Sequence, residues 1–136
     1  MILTRRAEFS ASHVCANPAL SHAENQAIYG VAANANGHGH NYVVEVSIEG
    51  EPDGITGMVF DLRELKEILN REVVEPMDHR FLNREVRPFD RVVPTTENVA
   101  REIWRRLAPA IDRPNVRLKN VRLYETPDLY VDCEGA

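Results

Sequence analysis

The sequence has little of what marks nucleic-acid-binding proteins. Its 16 lysine and arginine residues are outnumbered by 21 aspartate and glutamate residues, and the formal net charge is −5 at pH 7. The basic residues are scattered along the chain rather than gathered in a block. Because binding to a phosphate backbone depends on clustered positive charge, we expect no nucleic-acid partner.

Long apolar runs and cysteines are also scarce. No segment approaches the length of a membrane span, and Arg5, Arg6 and Glu8 interrupt the N-terminal region where a signal peptide would need an apolar core. Cys15 and Cys133 are the two cysteines, and without an export signal they are more simply two free thiols than a disulfide. We therefore expect a cytoplasmic protein with no membrane contact.

Nothing in the sequence divides the chain into parts. It has no internal repeat, no low-complexity tract and no long Pro/Gly/Ser linker. Its 136 residues are about the size of one ordinary domain, and a hydrophobic content of 43% suffices for one modest core. We predict a single domain over residues 1–136.

Four segments have the alternation of half-buried strands. Residues 2 to 15 alternate weakly, whereas residues 42 to 49 alternate clearly between apolar and polar side chains. Two more strands are predicted near residues 115 to 126 and 128 to 134, separated by a hairpin turn at Thr126-Pro127-Asp128.

Two helices are predicted between these pairs of strands. The first begins at Asp61, whose carboxylate can cap it while Glu64 completes a capping-box pattern, and Pro76 is expected to end it. The second follows the segment 94 to 98, which offers a threonine cap and an early carboxylate, and it is expected to stop before Pro109. The order of elements predicts an α+β domain with two helices on one face of a four-stranded antiparallel sheet.

Three histidines form the clearest chemical pattern. His38 and His40 lie on one face at the start of a predicted strand, because side chains alternate, and Gly39 keeps the approach to them uncrowded. His13 falls on the inward face of the neighbouring strand and can supply a third nitrogen. Burying unpaired imidazoles is costly, so a metal ion is the better explanation. Three imidazoles leave a tetrahedral zinc one open position, as in catalytic sites, although imidazole also suits copper, nickel or iron.

Several ordered motifs run almost from end to end of the chain. They are FSASH at 9–13, NGHGHNY at 36–42, GMVFDLRELK at 57–66, PMDH at 76–79 with LN at 82–83, PTTEN at 94–98, IW at 103–104 and YET at 124–126. In this order they resemble the 6-pyruvoyl-tetrahydropterin synthase family, which includes the 6-carboxy-tetrahydropterin synthases of queuosine biosynthesis.

The resemblance implies a tunnelling fold. In that fold the four-stranded antiparallel sheets of several subunits join into a barrel, commonly as trimers stacked into hexamers, and the active sites lie between subunits. A small sheet with one helical layer has open edges, and association would cover them. We therefore expect a homo-oligomer, a hexamer built as a dimer of trimers.

The resemblance also implies a zinc-dependent lyase-type enzyme. The typical substrate of the family is 7,8-dihydroneopterin triphosphate, from which a base removes carbon-bound protons while triphosphate leaves, with zinc as the Lewis acid. Glu125 would anchor the pterin, and it shares the inward phase of Val121 and Leu123. Asp78 and His79 match the acid–base pair of the family, in which the carboxylate orients the imidazole.

Thr95, Thr96 and Glu97 have two interpretations of equal weight. The resemblance implies contact with the substrate, whereas the same residue types also cap a helix without any ligand. The two roles can coexist.

One position departs from the family pattern. Members that make 6-pyruvoyl-tetrahydropterin carry a cysteine base in the loop before the zinc histidines, and Ala32 stands in its place. A methyl group cannot accept a proton, so another group must be the base or the reaction must differ. Cys15, two residues beyond His13, is one alternative, and a different pterin reaction with His79 or Glu24 as base is another. Val31 and Ala35 also depart from the pattern, which indicates natural divergence rather than one introduced alanine.

Three function hypotheses follow. The first is a zinc-dependent lyase acting on a dihydropterin triphosphate, and the second is a pterin-binding module that has lost its base. The third is a structural zinc domain without a small-molecule ligand. The sequence does not decide between tetrahydrobiopterin, folate and queuosine biosynthesis.

Overall fold

A single antiparallel sheet, extended at one edge by a short parallel strand, forms the frame of the chain. The computed structural model describes all 136 residues. The strands are β1 (Ile2–His13), β2 (His38–Gly50), β3 (Arg80–Phe81), β4 (Val116–Thr126) and β5 (Leu129–Cys133). Their order across the sheet is β3-β1-β2-β4-β5, and only the β1–β3 pair is parallel. The mixed α+β class is confirmed. The predicted count of four strands was wrong, because the sheet has a fifth, short edge strand, β3.

More helical segments are present than the two predicted. They are α1 (His22–Tyr29), a 3-10 turn (Gly30–Ala33), α2 (Leu62–Leu69), a π-helical turn (Asn70–Val74), α3 (Glu75–Met77), α4 (Leu82–Glu85) and α5 (Thr96–Ile111). None of them has the length and apolar character that crossing a membrane requires. The predicted order of two strands, two helices and two strands therefore describes the large elements and omits the short ones.

Both proline boundaries predicted from the sequence were wrong. Pro76 lies inside the helical region, because the amide of Glu75 bonds to Asn70 across a wide π turn and the chain continues helically to Met77. Pro109 lies in the last turn of α5, which continues to Ile111. A proline near a helix end loses one hydrogen bond, and its exposed position allows the loss to be tolerated.

The predicted helix caps are present in modified form. Asp61 accepts hydrogen bonds from the amides of Arg63 and Glu64 at the start of α2. The Glu64 carboxylate pairs with Arg113 rather than completing the capping box. Thr95 caps α5 through the amide of Asn98, at 3.3 Å.

The core lies between one face of the sheet and the helices. The inward residues of β2 are completely buried, and they share one phase, as the alternation predicted: Tyr42, Val44, Val46 and Ile48. The apolar stripe of α5 packs against them and comprises Val99, Ala100, Ile103, Leu107 and Ile111. This packing fixes the ends of β1, β2 and β4 relative to the first turn of α5, where the site lies.

Candidate metal centre

The three predicted metal ligands lie at the junction of β1 and β2. His13 is the last residue of β1 and pairs directly with His38, the first residue of β2. His40 lies two residues after His38, on the same face of β2, and pairs with Ala11. A side chain at Gly39 would place its Cβ 3.3 Å from the Ala11 carbonyl oxygen, so glycine allows β2 to approach β1 closely at this point.

The three imidazoles converge through their Nε2 atoms. His13 Nε2 lies 3.0 Å from His38 Nε2 and 3.2 Å from His40 Nε2. All three ligand atoms lie within 4.8 Å of one another. Zinc bound tetrahedrally at its usual Zn–N length separates two nitrogens by about 3.3 Å. The structure thus brings together the three histidines identified in the sequence, at a spacing that fits one divalent ion.

The orientation of His13 is fixed from behind. Its Nδ1 lies 2.8 Å from the carbonyl oxygen of Pro94 and 3.4 Å from the Tyr42 hydroxyl. A carbonyl only accepts hydrogen bonds, so Nδ1 carries the proton and the neutral ring presents the Nε2 lone pair to the centre of the cluster. This is the usual support of a metal-binding histidine.

Burial favours the form that binds metal in two of the three imidazoles. His13 is completely buried, and this burial lowers its pKa below the ordinary value of 6.5. Burial also lowers the pKa of His40. Neutral imidazole is the ligand form, so at neutral pH no proton has to be displaced from these two rings. The residues therefore fit zinc, and three nitrogen donors leave the fourth tetrahedral position for a substrate.

A partly buried carboxylate lies beside the histidines. Glu125 Oε1 is 3.7 Å from His40 Nε2, and Glu125 Oε2 accepts a 2.7 Å hydrogen bond from the Thr96 hydroxyl. The Glu125 side chain is 18% exposed, so it points inward while keeping access to the surface. Thr96 is buried at the first turn of α5, whereas Glu97 is exposed. Thr95, Thr96 and Glu97 were each expected either to cap the helix or to contact the substrate. In the structure Thr95 caps α5 and Thr96 holds Glu125. Glu97 makes no capping hydrogen bond and does not contact Glu125.

The Asp78–His79 pair lies at the sheet edge. Asp78 Oδ1 accepts a 2.8 Å hydrogen bond from the amide of Ser10, and Oδ2 lies 3.0 Å from His79 Nδ1. The hydrogen bond from the Ser10 amide is the main reason that the pKa of Asp78 lies below its ordinary range. The His79 side chain is 84% exposed, and no hydrogen bond or ion pair joins the pair to the three histidines of the same chain. His79 also has a positive φ of 59°, uncommon for a residue other than glycine.

Comparison with known proteins identifies the family. Residues 2–136 match the family of 6-pyruvoyl tetrahydropterin synthases. The chain belongs to this family. It is 44% identical to a 6-pyruvoyl tetrahydrobiopterin synthase from Pongo abelii, over 98% of this chain and 90% of that protein.

Two further comparisons support the fold and show the breadth of the family. The structure of Caenorhabditis elegans 6-pyruvoyl tetrahydropterin synthase superimposes with a TM-score of 0.94 at 38% identity, covering 100% of this chain and 96% of that one. This confirms the predicted tunnelling fold. A putative 6-carboxy-5,6,7,8-tetrahydropterin synthase from Archaeoglobus fulgidus is 37% identical over 70% of this chain and 73% of that protein.

Ala32, which replaces the family cysteine, lies next to Cys15. The Cys15 amide donates a 2.9 Å hydrogen bond to the Ala32 carbonyl, so the two positions face each other across neighbouring segments. Burial raises the pKa of the Cys15 thiol to about 11, and the negative charges of Glu125 and Glu97 act in the same direction. In the chain alone, Cys15 is therefore a protonated thiol at neutral pH.

Glu24 occupies a capping position. It is the third residue of α1, and its carboxylate accepts from the Ser21 amide while its own amide bonds to the Ser21 hydroxyl. The bond from the Ser21 amide is the main reason that its pKa lies below the ordinary value. Glu24 is exposed and contacts none of the three histidines.

Three residues around the centre were not singled out in the sequence. Tyr42 shares the phase of His38 and His40, so the alternation of β2 could have placed it behind them. Pro94 acts through its carbonyl oxygen, which every residue has, so its place in the PTTEN motif at 94–98 does not reveal this role. Asn83 lies in one of the family motifs, yet its contact with the segment beside His13 depends on the tertiary structure.

Proposed function

We propose that this chain is a zinc-dependent lyase of the 6-pyruvoyl-tetrahydropterin synthase type, acting on 7,8-dihydroneopterin triphosphate or a close analogue. The observation that carries the proposal is a cluster of three Nε2 atoms with an inward carboxylate, Glu125, 3.7 Å from one of them. A metal-binding cluster beside a hydrogen-bond acceptor suits a ligand with both a polar heterocycle and a hydroxylated side chain. The sequence relatives support the same type of reaction.

Each residue of the cluster has a role in this proposal. His13, His38 and His40 hold the ion, which when bound supplies a Lewis acid that favours deprotonation of the neighbouring carbon. Glu125 accepts hydrogen bonds from the pterin amino group and ring NH, and a carboxylate is favoured there because both partners are donors. Thr96 fixes the Glu125 carboxylate through the second oxygen.

Proton transfer falls to Asp78 and His79 in this proposal. Asp78 holds His79 Nδ1 at 3.0 Å and leaves the other ring nitrogen available for a substrate. The pair contacts none of the histidines of its own chain, so we propose that it serves the site of a neighbouring copy in a homo-oligomer, a hexamer by analogy with the family. Cys15 is the second base candidate because it faces Ala32, and Glu24 is the third.

A specific observation favours a second function. The chain has Ala32 where the family has its cysteine, and the nearest thiol, Cys15, has a raised pKa of about 11. With His79 or Glu24 as base in place of a thiolate, the site could cleave the pterin side chain, and with no base it could bind a pterin without turning it over. We therefore propose, as the alternative, a side-chain-cleaving enzyme or a non-catalytic pterin-binding module.

The deciding experiment is incubation of the zinc-loaded protein with 7,8-dihydroneopterin triphosphate. Chromatography of the pterins is combined with a count of triphosphate released. Triphosphate release with a pyruvoyl product supports the synthase, and a carboxy product supports the queuosine branch. Side-chain cleavage without triphosphate release, or binding without any product, supports the alternative.

Two variants identify the base in the same assay. Loss of turnover in His79→Ala with Cys15→Ala unaffected supports the Asp78–His79 pair, and the reverse supports Cys15. If neither change reduces turnover, both assignments are wrong and Glu24→Gln becomes the next variant. We further propose a cytoplasmic location, which fractionation of cells that produce the protein would test.

A further inference from the structure

The side chain of Asn83 makes two hydrogen bonds to the backbone of a single residue, Val14. Asn83 Oδ1 accepts from the Val14 amide at 2.8 Å, and Asn83 Nδ2 donates to the Val14 carbonyl at 2.9 Å. Both bonds are partly buried, so they are shielded from competing water. The amide thus occupies both backbone groups of the residue that separates His13 from Cys15.

This contact lies just beyond the point where the pairing of β1 and β3 ends. β3 pairs with β1 through two residues, Ala11 with Arg80 and Ser12 with Phe81, and both strands end there or one residue later. Asn83 lies in α4, directly after β3, and continues the pairing beyond the end of both strands. The segment that carries the buried metal ligand is therefore held on its β3 side by a side chain where no strand is available.

The chemistry of the contact requires a primary amide. Val14 presents one N–H donor and one carbonyl acceptor, and only a side chain with both an acceptor and a donor complements the two. An aspartate at this position would keep the acceptor and turn its second oxygen against the Val14 carbonyl. A leucine of similar size would leave both backbone groups without a partner, at a cost.

We propose that Asn83 is a positioning residue of the metal centre. By holding Val14, it sets the path of the chain on both sides of that residue, so that His13 Nε2 stays directed at His38 and His40. The inference rests on the proposed metal site and assigns Asn83 no contact with metal or substrate. It also links the candidate metal site to the segment of Asp78, because residues 78 to 83 bond to Ser10 in β1 and to Val14 directly after it.

Asn25 offers a matched control within the same chain. Its side chain makes the same pair of bonds to Asn17, accepting from the amide at 2.8 Å and donating to the carbonyl at 3.0 Å. Asn25 is 6% exposed, and Asn17 is not adjacent to any of the three histidines. Removing this amide tests what the loss of such a clamp does to the fold in general.

The experiment measures metal binding rather than turnover. Zinc dissociation constants and the visible absorption bands of the cobalt-loaded protein are compared for the wild type, Asn83→Leu, Asn83→Asp and Asn25→Leu, with circular dichroism of each metal-free protein as a check of the fold. Loss of a partner that bonds a ligating ring directly weakens binding about 10- to 100-fold, and Asn83 acts through the residue next to the ligand, so about 10-fold is the loss to expect. We expect that loss, with altered cobalt bands, for both Asn83 variants and not for Asn25→Leu.

Each outcome bears on a different claim. If the wild type binds neither zinc nor cobalt, the proposed function fails. If the wild type binds and the folded Asn83 variants bind within about twofold of it, or if Asn25→Leu weakens binding as much as they do, the inference is wrong. Should the Asn83 variants not fold, hydrogen exchange in the wild type decides, since a clamped Val14 amide must exchange more slowly than an exposed loop amide.

Discussion

The two chemical regions of this chain differ in how completely one copy assembles them. The histidine cluster is formed by paired strand ends, with His13 completely buried and Glu125 held by Thr96. The Asp78–His79 segment lies at the sheet edge. The His79 side chain is 84% exposed, and Asp78 is its one hydrogen-bond partner within the chain. The candidate metal site is thus complete within one copy, while the pair that we propose for proton transfer faces outward.

The difference has a physical cause. A metal ligand set must be pre-positioned, and packing in the core provides this for residues on the inner face of a sheet. An imidazole that exchanges protons must reach a reacting group, and His79 reaches none within its own chain. In the proposed reaction the second region therefore needs another surface, and a second copy of the chain is the one we propose.

The largest expected effect is the loss of metal in His13→Ala. This change removes the one ligand that is fully buried and fixed by the Pro94 carbonyl, so we expect no stoichiometric metal after dialysis and no turnover. Elemental analysis of the purified protein measures the metal. The control is His22→Ala, which alters an exposed histidine outside the cluster. Full metal content in His13→Ala would show that the converging nitrogens are not a metal site.

The next effect is on turnover in His79→Gln. General acid–base catalysis contributes about 10²- to 10⁴-fold, and we expect a loss of this size with metal content unchanged. Steady-state kinetics with metal analysis on the same sample separates the two quantities. A loss of metal instead would mean that the two regions are not independent.

Hybrid oligomers test whether one active site takes its residues from two copies of the chain. If His79 serves a site on another copy, inactive His79→Gln and inactive His13→Ala chains can complement each other. Co-refolding them in equal amounts should restore roughly a quarter of the wild-type rate, because one site in four then receives both intact residues. A mixture as inactive as its components would place both residues in the same copy.

A smaller effect is expected on pterin binding in Glu125→Gln. A hydrogen bond to a charged group contributes about 1.5–3 kcal/mol, so the pterin dissociation constant should rise roughly 10- to 100-fold. Fluorescence titration of the zinc-loaded protein measures this constant. Glu97→Gln, which changes an exposed carboxylate on the first turn of α5, should leave it unchanged. An equal loss in both variants would remove the assignment of Glu125 as the anchor.

The smallest effect concerns acid stability at the sheet edge. The pKa of Asp78 in the folded chain lies below its ordinary value of 3.8, mainly through the Ser10 amide. Its ionised form therefore stabilises the fold above about pH 4, and this contribution is lost as the pH falls through the folded pKa. Urea denaturation at pH 7 and pH 3 should show a smaller pH dependence for Asp78→Asn than for the wild type.

The matched variant for this measurement is Asp128→Asn. The Asp128 carboxylate accepts no hydrogen bond, so its removal should leave the pH dependence as in the wild type. Identical curves for Asp78→Asn and the wild type would show that the bond to Ser10 contributes nothing to the acid stability.

Much of the fold could be predicted because local patterns encode it. The alternation of β2 identified the buried face that carries Tyr42, Val44 and Val46, and Asp61 and Thr95 were correctly expected at helix starts. The ends of the helices and strands were harder to predict. Pro76 and Pro109 do not end their helices, because a π turn and a position in the last helical turn accommodate them. A strand of two residues, β3, carries too little periodicity to be recognised.

Parts of the site depend on contacts distant in sequence. The phase of three histidines predicted that their rings share a face, and the family motifs identified Glu125, Asp78 and His79. The Pro94 carbonyl behind His13, 81 residues away, and the Asn83 amide, 69 residues from Val14, lie in two of these motifs, but the motifs do not indicate these contacts. Backbone groups are the same in every residue, so the sequence does not mark the ones that become partners.

Local sequence patterns predicted which side chains face inward and which chemical types stand there: imidazoles, a carboxylate and, at position 32, an alanine in place of a thiol. The packed fold was needed to show that three Nε2 atoms meet, that Cys15 lies against Ala32, and that the His79 side chain is 84% exposed beside Asp78. The reason is that alternation along a strand is a property of neighbouring residues. Distances between elements arise only when the whole core packs.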